Sequence, residues 1–362
     1  MKHLIKRVLA LFLVVICCLP MTACAAPEEQ TQVQQETKVP ENEEGKNENV
    51  EEKENVVEES KAEDHVAMQI AKAEYPEMAQ YPETDGFSYD AEAFQAWKLS
   101  RQAQQSESKE YQNGIREFYE VTMQEFLKNT EGKNKIYSPL NVYMALAMLA
   151  ETAGGESRQQ ILDLLHTDSI ETLRNNASIL WNANYCDDGI VTSLLASSAW
   201  LKDGIFYNQE TLNTLAENYY ASSFCGTMGS QEYNQMLRDW LNEQTGDLLK
   251  EQADKIEMDP LTVFALATTV YFKAKWANEF HEANNTEEIF HAANGDVTAE
   301  FMHQSGTNTY YWGEQFGAIS RRLENSGSML LILPDEGVNV EDLLTDKEAL
   351  DFNYDQYAWE NQ

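Results

Sequence analysis

The stretch LTVFALATTVYFKAKW, residues 261–276, is the most informative part of this 362-residue chain. Its first part, Leu261–Lys273, is apolar and rich in β-branched and aromatic side chains, and neither glycine nor proline interrupts it. Strands that are covered on both faces have this composition, whereas a strand with one face in water alternates apolar and polar residues. The stretch therefore predicts a long central strand of a large sheet.

The residues after this strand predict two β-hairpins and a helix. Asn294-Gly295, the strongest short hairpin signal, lies between the apolar runs Ile289–Ala293 and Val297–Met302. A second polar turn, Asn325–Ser328, joins two further apolar runs in the same way. Val340–Leu350 then has the spacing of a helix.

The residues before the strand predict helices. Ser138-Pro139 has the chemistry of a helix start, because serine caps the first turn and proline fits its first position. The following Asn141–Ala153 is apolar almost all round, which indicates a helix buried inside a sizeable fold. Gly154-Gly155 is expected to end it, and Ser157 with Gln160 predicts a capping box that starts a second helix.

The order of the predicted elements indicates the fold class. Leu194–Leu201 reads as a strand, and Leu212–Tyr220 and Tyr233–Gln244 have helical spacing. Helices dominate the first part of the body and strands the second, without a regular alternation of strand and helix. This order predicts an α+β fold in which helices surround large, mostly antiparallel sheets.

Six stretches of the body resemble the serpin family in the right order and at matching spacing. The most specific is TVYFKAKW, residues 269–276, which is similar to the family's most recognisable block. The others are Ile136–Leu149, Gly154–Ile161, Ser198–Leu201, Asp239–Gly246 and Leu331–Gly337. The resemblance covers residues 111–362 and implies a serpin-like domain.

The resemblance implies a function for the complete protein. Serpins are suicide inhibitors of serine or cysteine proteases, and their action is mechanical. The protease cleaves an exposed loop, the loop inserts as a new strand into the main sheet, and the acyl-linked protease is distorted. The expected partner is therefore a target protease. No cofactor, metal ion or catalytic residue is expected, and the protein is not expected to be an enzyme.

The resemblance also assigns a sheet-opening region to Ser138, Asn141, Thr268 and Trp276. Serpins usually carry a second serine at the position of Asn141 and an asparagine at the position of Thr268, beneath the main sheet where its strands part. Both replacements still form hydrogen bonds, so the polar cluster is expected to persist with exchanged partners. Trp276 occupies a position at which serpins keep a tryptophan near the top of the sheet.

No stretch before Gln362 reads like the reactive loop of a serpin. In the family, the chain continues beyond the position of Asp335–Gly337 into that loop, its small-residue hinge and two central strands of the second sheet. We therefore expect the chain to be incomplete at its C-terminus, to be poorly stable by itself, and to supply only the sheet that receives the loop. The alternative is a non-inhibitory serpin-like binding protein or a truncated remnant.

The N-terminus has the features of an export signal with a lipid attachment site. Lysine and arginine precede the apolar run Val8–Leu19, which is short for a membrane-spanning helix. Met21–Cys24 resembles the lipobox of bacterial lipoproteins, in which the cysteine is acylated. Residues 1–23 are thus a predicted lipoprotein signal peptide, and Cys24 the predicted membrane anchor of a cell-surface lipoprotein. The alternative is an ordinary signal peptide and a secreted, extracellular protein.

Two segments separate this signal from the body. Residues 24–64 are rich in Glu, Gln, Asn and Lys and have few large apolar side chains, so they are predicted to be a disordered acidic tether. Repulsion between its like charges is expected to extend it. Residues 65–110 are predicted to be a semi-ordered stalk or N-terminal extension, with helical character over Ala91–Gln105. Whether this extension packs on the serpin-like domain at 111–362 stays open at this stage.

Charge and motifs argue against other functions. The net charge is -35, and no basic cluster follows the first few residues, so nucleic acid is not an expected partner. His281-Glu282 lacks the second histidine of a zinc-protease helix, and neither a phosphate loop nor a serine-nucleophile elbow is present. Cys186 and Cys225, the two cysteines of the body, are expected to be free thiols.

Overall fold

The computed structural model describes residues 66–82, 90–106, 112–131, 133–292, 294–306 and 308–354. The predicted signal peptide, Cys24 and the acidic tether lie outside the described residues. The strands are β1 (Met68–Ala71), β2 (Cys186–Asp187), β3 (Thr192–Lys202), β4 (Ala221–Gly226), β5 (Phe264–Lys273), β6 (Thr286–Ala292), β7 (Gly295–Phe301), β8 (Tyr310–Trp312), β9 (Phe316–Arg322) and β10 (Ser328–Pro334). The helices are α1 (Ala91–Ser106), α2 (Gln112–Leu127), α3 (Pro139–Thr152), α4 (Gly155–Leu164), α5 (Ile170–Asn184), α6 (Gln209–Asn218), α7 (Gln231–Gln244), α8 (Lys250–Ala253), α9 (Val340–Leu343) and α10 (Lys347–Tyr354).

The main sheet has five strands and β3 lies in the middle. One edge of β3 pairs with β2 and, farther along, with β4, and β1 continues the sheet beyond β4. The other edge of β3 pairs with β5. β5 runs antiparallel to β3 along its whole length, while β4 runs parallel to β3. Within the described residues β5 is the last strand on its side of the sheet, so the central position predicted for Leu261–Lys273 is not seen there. Leu261, the first residue of the predicted strand, lies in a turn before β5, where Asp259 Oδ1 accepts a hydrogen bond from its backbone N–H at 2.8 Å.

Helices cover both faces of the main sheet, which explains the apolar composition of β5. On one face, α3 contributes Tyr143, Ala147 and Met148 to a core that includes Leu266 of β5. On the other face, α7 packs over Ala265 and Ala267 with its buried apolar side chains, Tyr233, Leu237, Trp240 and Leu241. The apolar composition of β5 thus reflects the cover on its two faces and gives no information about its edges.

The two predicted helices after Ser138 are present, but the start of the second is wrong. Ser138 caps α3 as predicted, and its Oγ accepts a hydrogen bond from the backbone N–H of Asn141 at 3.3 Å. α4 begins at Gly155, whose φ of 56° lies in the left-handed region. No side-chain capping bond occurs there, and Ser157 lies inside the helix. The guanidinium of Arg158 instead donates to main-chain carbonyls at the end of α3, which brings the two helices together.

The later elements agree with the predicted hairpins and correct the predicted helix. β6 and β7 form an antiparallel pair around Asn294-Gly295, and β9 and β10 form the second hairpin, which β8 extends to three strands. The helix predicted over Val340–Leu350 is in fact two, α9 and α10. Asp346 separates them because its carboxylate accepts a hydrogen bond from the backbone N–H of Ala349 at 2.9 Å and so starts the second helix.

Two described parts of the N-terminal extension pack on the body. β1 adds a strand to the main sheet beside β4, and α1 lies against α5. Cys186 and Cys225 are free thiols, as predicted.

Candidate strand-accepting site

The open edge of β5 is the feature of the main sheet that can accept another strand. β5 is ten residues long, and within the described ranges no strand pairs with the edge that faces away from β3. Its first half is buried, whereas Val270 and Phe272 in its second half are 39% and 50% exposed. Unpaired N–H and C=O groups along such an edge are a template for an incoming strand.

Three of the four predicted site residues lie on the face of the sheet that α3 covers. Ser138 and Asn141 meet at the first turn of α3, where the cap bond joins them. Thr268 is buried in the middle of β5, on the same face as Leu266. No hydrogen bond between the Thr268 side chain and either α3 residue is found in the described part of the chain. The structure thus places these groups on facing elements without joining all three.

Ser197 is a member of this region that the sequence prediction missed. It lies directly opposite Thr268 in the register of β3 and β5, so both side chains point toward α3, and both are buried. The next residue, Ser198, points to the other face, where its Oγ accepts a hydrogen bond from Trp200 Nε1 at 2.8 Å. The sequence does contain a signal for Ser197, namely two adjacent serines inside an otherwise apolar strand. Buried hydroxyl groups need hydrogen-bond partners, so such serines indicate a polar site within the core.

Trp276 lies apart from the polar residues, just beyond the end of β5. It forms a β-bridge with Leu323, and its ring meets that of Phe280 edge-on at 5.5 Å. The guanidinium of Arg321 lies over the same Phe280 ring at 5.2 Å, an arrangement that favours a cation–π contact. Trp276 therefore connects the end of the main sheet to the sheet of β8, β9 and β10.

A buried ionic cluster holds the other end of α3. The carboxylate of Glu151 is almost completely buried, and it accepts hydrogen bonds from Tyr219 Oη at 2.8 Å and from both Nε and Nη2 of Arg174. Burial and the adjacent Glu151 charge raise the pKa of Tyr219 far above its usual value, so the phenol remains a hydrogen-bond donor. The cluster satisfies its own members and joins α3 to α5 and to the end of α6.

Beside this cluster lies a cavity of about 750 Å³ between α3, α4, α6 and the ends of β3 and β5. Its walls are mainly apolar, with Ile161, Leu212 and Phe264 among them, and Glu151 contributes to one wall. The size is that of a small-ligand site. In the described part of the chain no three His, Cys, Asp or Glu side chains converge on a metal position, and no described helix has the length and apolar content needed to cross a membrane.

The main sheet is covered on both faces, and in the part of the chain that the structure describes the outer edge of its long strand β5 is unpaired. Residues 113–361 match the family model described as serpin (serine protease inhibitor), so the chain belongs to the serpin family. The predicted serpin-like α+β fold is thus confirmed. Members of this family are in general inhibitors that bind proteases rather than catalysts.

Particular relatives support the same assignment. A serpin-like protein of Thermococcus kodakarensis is 29% identical over 211 residues, which cover 56% of this chain and 49% of the relative. The thermophilic serpin tengpin in its native state gives a TM-score of 0.61 at 23% identity, over 68% of this chain and 64% of that one. Human thyroxine binding globulin, cleaved in its reactive loop, gives 0.61 at 17% identity, over 71% and 76%. The chain spans about half the length of the curated relatives it matches.

Proposed function

We propose that the complete protein is a suicide inhibitor of serine or cysteine proteases, and that this chain supplies the sheet that receives the inserted strand. The observation that carries the proposal is the open edge of β5 in a chain of the serpin family. Such a protein is not an enzyme, because its productive event is a change of its own sheet rather than turnover of a substrate.

The residues around β5 can be given parts in strand acceptance. The backbone N–H and C=O groups of β5 pair with the new strand, each bond contributing about 1 kcal/mol. The hydroxyls of Thr268 and Ser197 lie opposite one another on the face of the sheet that α3 covers, and Ser138 caps the start of that helix. The partner is then any protease that can cleave the exposed loop and remain acyl-linked while the loop inserts.

The experiment is to mix the complete protein with a panel of serine and cysteine proteases and to look for an SDS-stable complex. We expect such a complex with at least one protease. Only cleavage of the protein, with every protease of the panel remaining free, would contradict the proposal. A protein denatured beforehand is the control, because it can be cleaved but has no sheet to receive a strand.

We further propose that the protein is exported and anchored at the cell surface through a lipid on Cys24. The motif Met21–Cys24 and the apolar run Val8–Leu19 ahead of it support this proposal. Metabolic labelling with a palmitate analogue is expected to label the wild type and not Cys24→Ser. Equal labelling of both, or none of the wild type, would favour an ordinary signal peptide and a secreted protein.

A second candidate function is that of a non-inhibitory binding protein. The cavity of about 750 Å³ beside Glu151 favours it, and one structural relative is named for the binding of thyroxine. Reading the gene beyond codon 362 separates the two functions. A continuation into a hinge of small residues supports the inhibitor, whereas a stop codon at this point supports a binding module or a remnant.

A further inference from the structure

Residues 66–82, here called the edge strap, run along the edge of the main sheet opposite β5. At the start of the strap, β1 pairs antiparallel with β4. Two further contacts extend this pairing: Ser222 Oγ accepts a hydrogen bond from the backbone N–H of Ala73 at 3.1 Å, and Gln209 Nε2 donates to the carbonyl of Ile70 at 3.3 Å. The strap therefore occupies the outer edge of β4.

The middle of the edge strap fills a notch between β4 and β2. Here the indole N–H of Trp181 donates to the carbonyl of Leu195 at 2.8 Å, in place of a neighbouring strand. The Trp181 ring is stacked with Tyr185 and Tyr220, at centroid distances of 4.6 and 3.6 Å. Tyr75 of the strap packs against all three rings, at 5.3 to 6.4 Å. It is an aromatic anchor in the centre of the strap.

The last part of the edge strap covers β2. Gln80 Nε2 donates to the carbonyl of Asp187 at 2.9 Å, and the backbone N–H of Tyr81 donates to the carbonyl of Asp188 at 2.8 Å. The fully buried carboxylate of Asp188 accepts from Trp97 Nε1 of α1 at 3.0 Å and from two backbone amides of the following turn. Tyr81 also meets the Trp97 ring edge-on at 5.0 Å, so α1 holds the strap in place.

The two edges of the main sheet are thus treated differently. No strand of the described ranges pairs with the outer edge of β5, whereas the strap covers the opposite edge from β4 to β2 with residues that precede the matched family region, 113–361. A sheet with two open edges accepts strands at either one, including strands of a second copy. We infer that the edge strap replaces the β4 edge by the short, four-residue edge of β1 and so confines strand addition to β5. This inference rests on the proposed function, because it says where the receiving sheet takes its strand.

Tyr75→Ala in the full chain tests the inference. The probes are amide hydrogen exchange of β4 and a fluorescent peptide with the strap's own sequence, residues 66–75. The expected result is that β4 exchanges at least tenfold faster than in the wild type, since opening now costs less free energy, and that the peptide binds the variant and not the wild type. Tyr75→Phe keeps the ring and is expected to behave as the wild type, as is the matched control Glu74→Ala at the exposed neighbouring position.

Unchanged β4 exchange in Tyr75→Ala, with no binding of the peptide, would overturn the inference. Faster exchange that extends equally to β9 and β10 would indicate general destabilisation. In that case Trp97→Phe, which removes the N–H that reaches Asp188 together with part of the ring that packs on Tyr81, must raise exchange at β2 and β4 alone for the inference to stand. If the protein inhibits a protease but β4 stays protected in Tyr75→Ala, only the role of the strap is contradicted. If the protein inhibits no protease but β4 exchange does increase in Tyr75→Ala, only the proposed function is contradicted.

Discussion

Glu151 is a buried charged side chain whose carboxylate is fully paired. Its carboxylate is shielded from water, and its hydrogen bonds come from the side chains of Arg174 and Tyr219. An ion pair of this kind adds little net stability compared with an apolar replacement of the same shape, but removing one partner leaves the other charge buried and unpaired.

Arg174→Ala is therefore expected to lower the free energy of unfolding by about 3 kcal/mol, because the Glu151 carboxylate stays buried without its cation. The measurement is urea denaturation followed by circular dichroism. Glu156→Ala, which removes an exposed carboxylate in α4, is the control and is expected to change stability by less than about 0.5 kcal/mol. Equal effects of the two substitutions would contradict a structural role for the buried pair.

Tyrosines with raised pKa values predict a loss of stability at high pH, and the half-buried Tyr75 and Tyr137 are two of them. Burial raises the pKa of Tyr75 and of Tyr137 from 10.0 to about 12. Between these values the unfolded chain releases the proton while the folded chain keeps it, so their contribution is complete below pH 10 and is lost as the pH rises through 12. At pH 11 each tyrosine costs about 1 kcal/mol of unfolding free energy.

Urea denaturation at pH 8 and pH 11 measures this loss. Tyr75→Phe removes one of several groups whose pKa is raised by burial, Tyr219, Tyr233 and Cys186 among them, and is expected to reduce the fall in stability between the two pH values by about 1 kcal/mol. A fall of the same size in wild type and Tyr75→Phe would show that other groups cause it.

At the scale of elements, α3 depends on its cap. Ser138 Oγ satisfies one of the free N–H groups of the first turn, and Pro139 follows it at the start of the helix. Ser138→Ala is expected to lower the free energy of unfolding by about 1 kcal/mol, whereas Ser138→Thr, which keeps a capping oxygen, is expected to recover most of it. Thermal denaturation of the two variants gives the comparison. Equal losses would mean that the sheet-opening role assigned to Ser138, rather than capping, determines its effect.

Elements that depend on neighbouring residues were predictable, and those that depend on distant partners were not. The Ser138-Pro139 start and the Asn294-Gly295 turn act within a few residues, and both are present as predicted. β1 has only four residues, too few to form a recognisable strand pattern, and it exists because β4, about 150 residues farther on, offers an edge. Ser197 joined the candidate site in the same way, since only the register of β3 and β5 sets it opposite Thr268.

The whole molecule is organised around the difference between its two sheet edges. The edge of β5 carries exposed apolar side chains at Val270 and Phe272 beside unpaired backbone groups, a combination that promotes association with other strands. We therefore expect the isolated chain to have low stability and to self-associate, as its sequence already suggested. A sharp two-state melt of a monomer would contradict this expectation.

A synthetic strand is expected to relieve that association. A capped peptide of alternating threonine and alanine, as long as β5, should pair with the open edge, raise the melting temperature and shift the sedimentation profile toward monomer. The same peptide with proline at alternate positions lacks the required N–H groups and is the control. Equal effects of the two peptides, or none from either, would argue against strand acceptance at β5.

The position of β1 also decides how the molecule bears a mechanical load. Everything that precedes Val66 in the chain is connected to the body through the edge strap, so a pull from that direction reaches the hydrogen bonds between β1 and β4 first. Tyr75 and the contacts of Asp188 lie behind those bonds and would carry the load in sequence. A tension that breaks these contacts one after another would uncover the β4 edge. Pulling on the N-terminus would therefore make the edge of the main sheet more accessible.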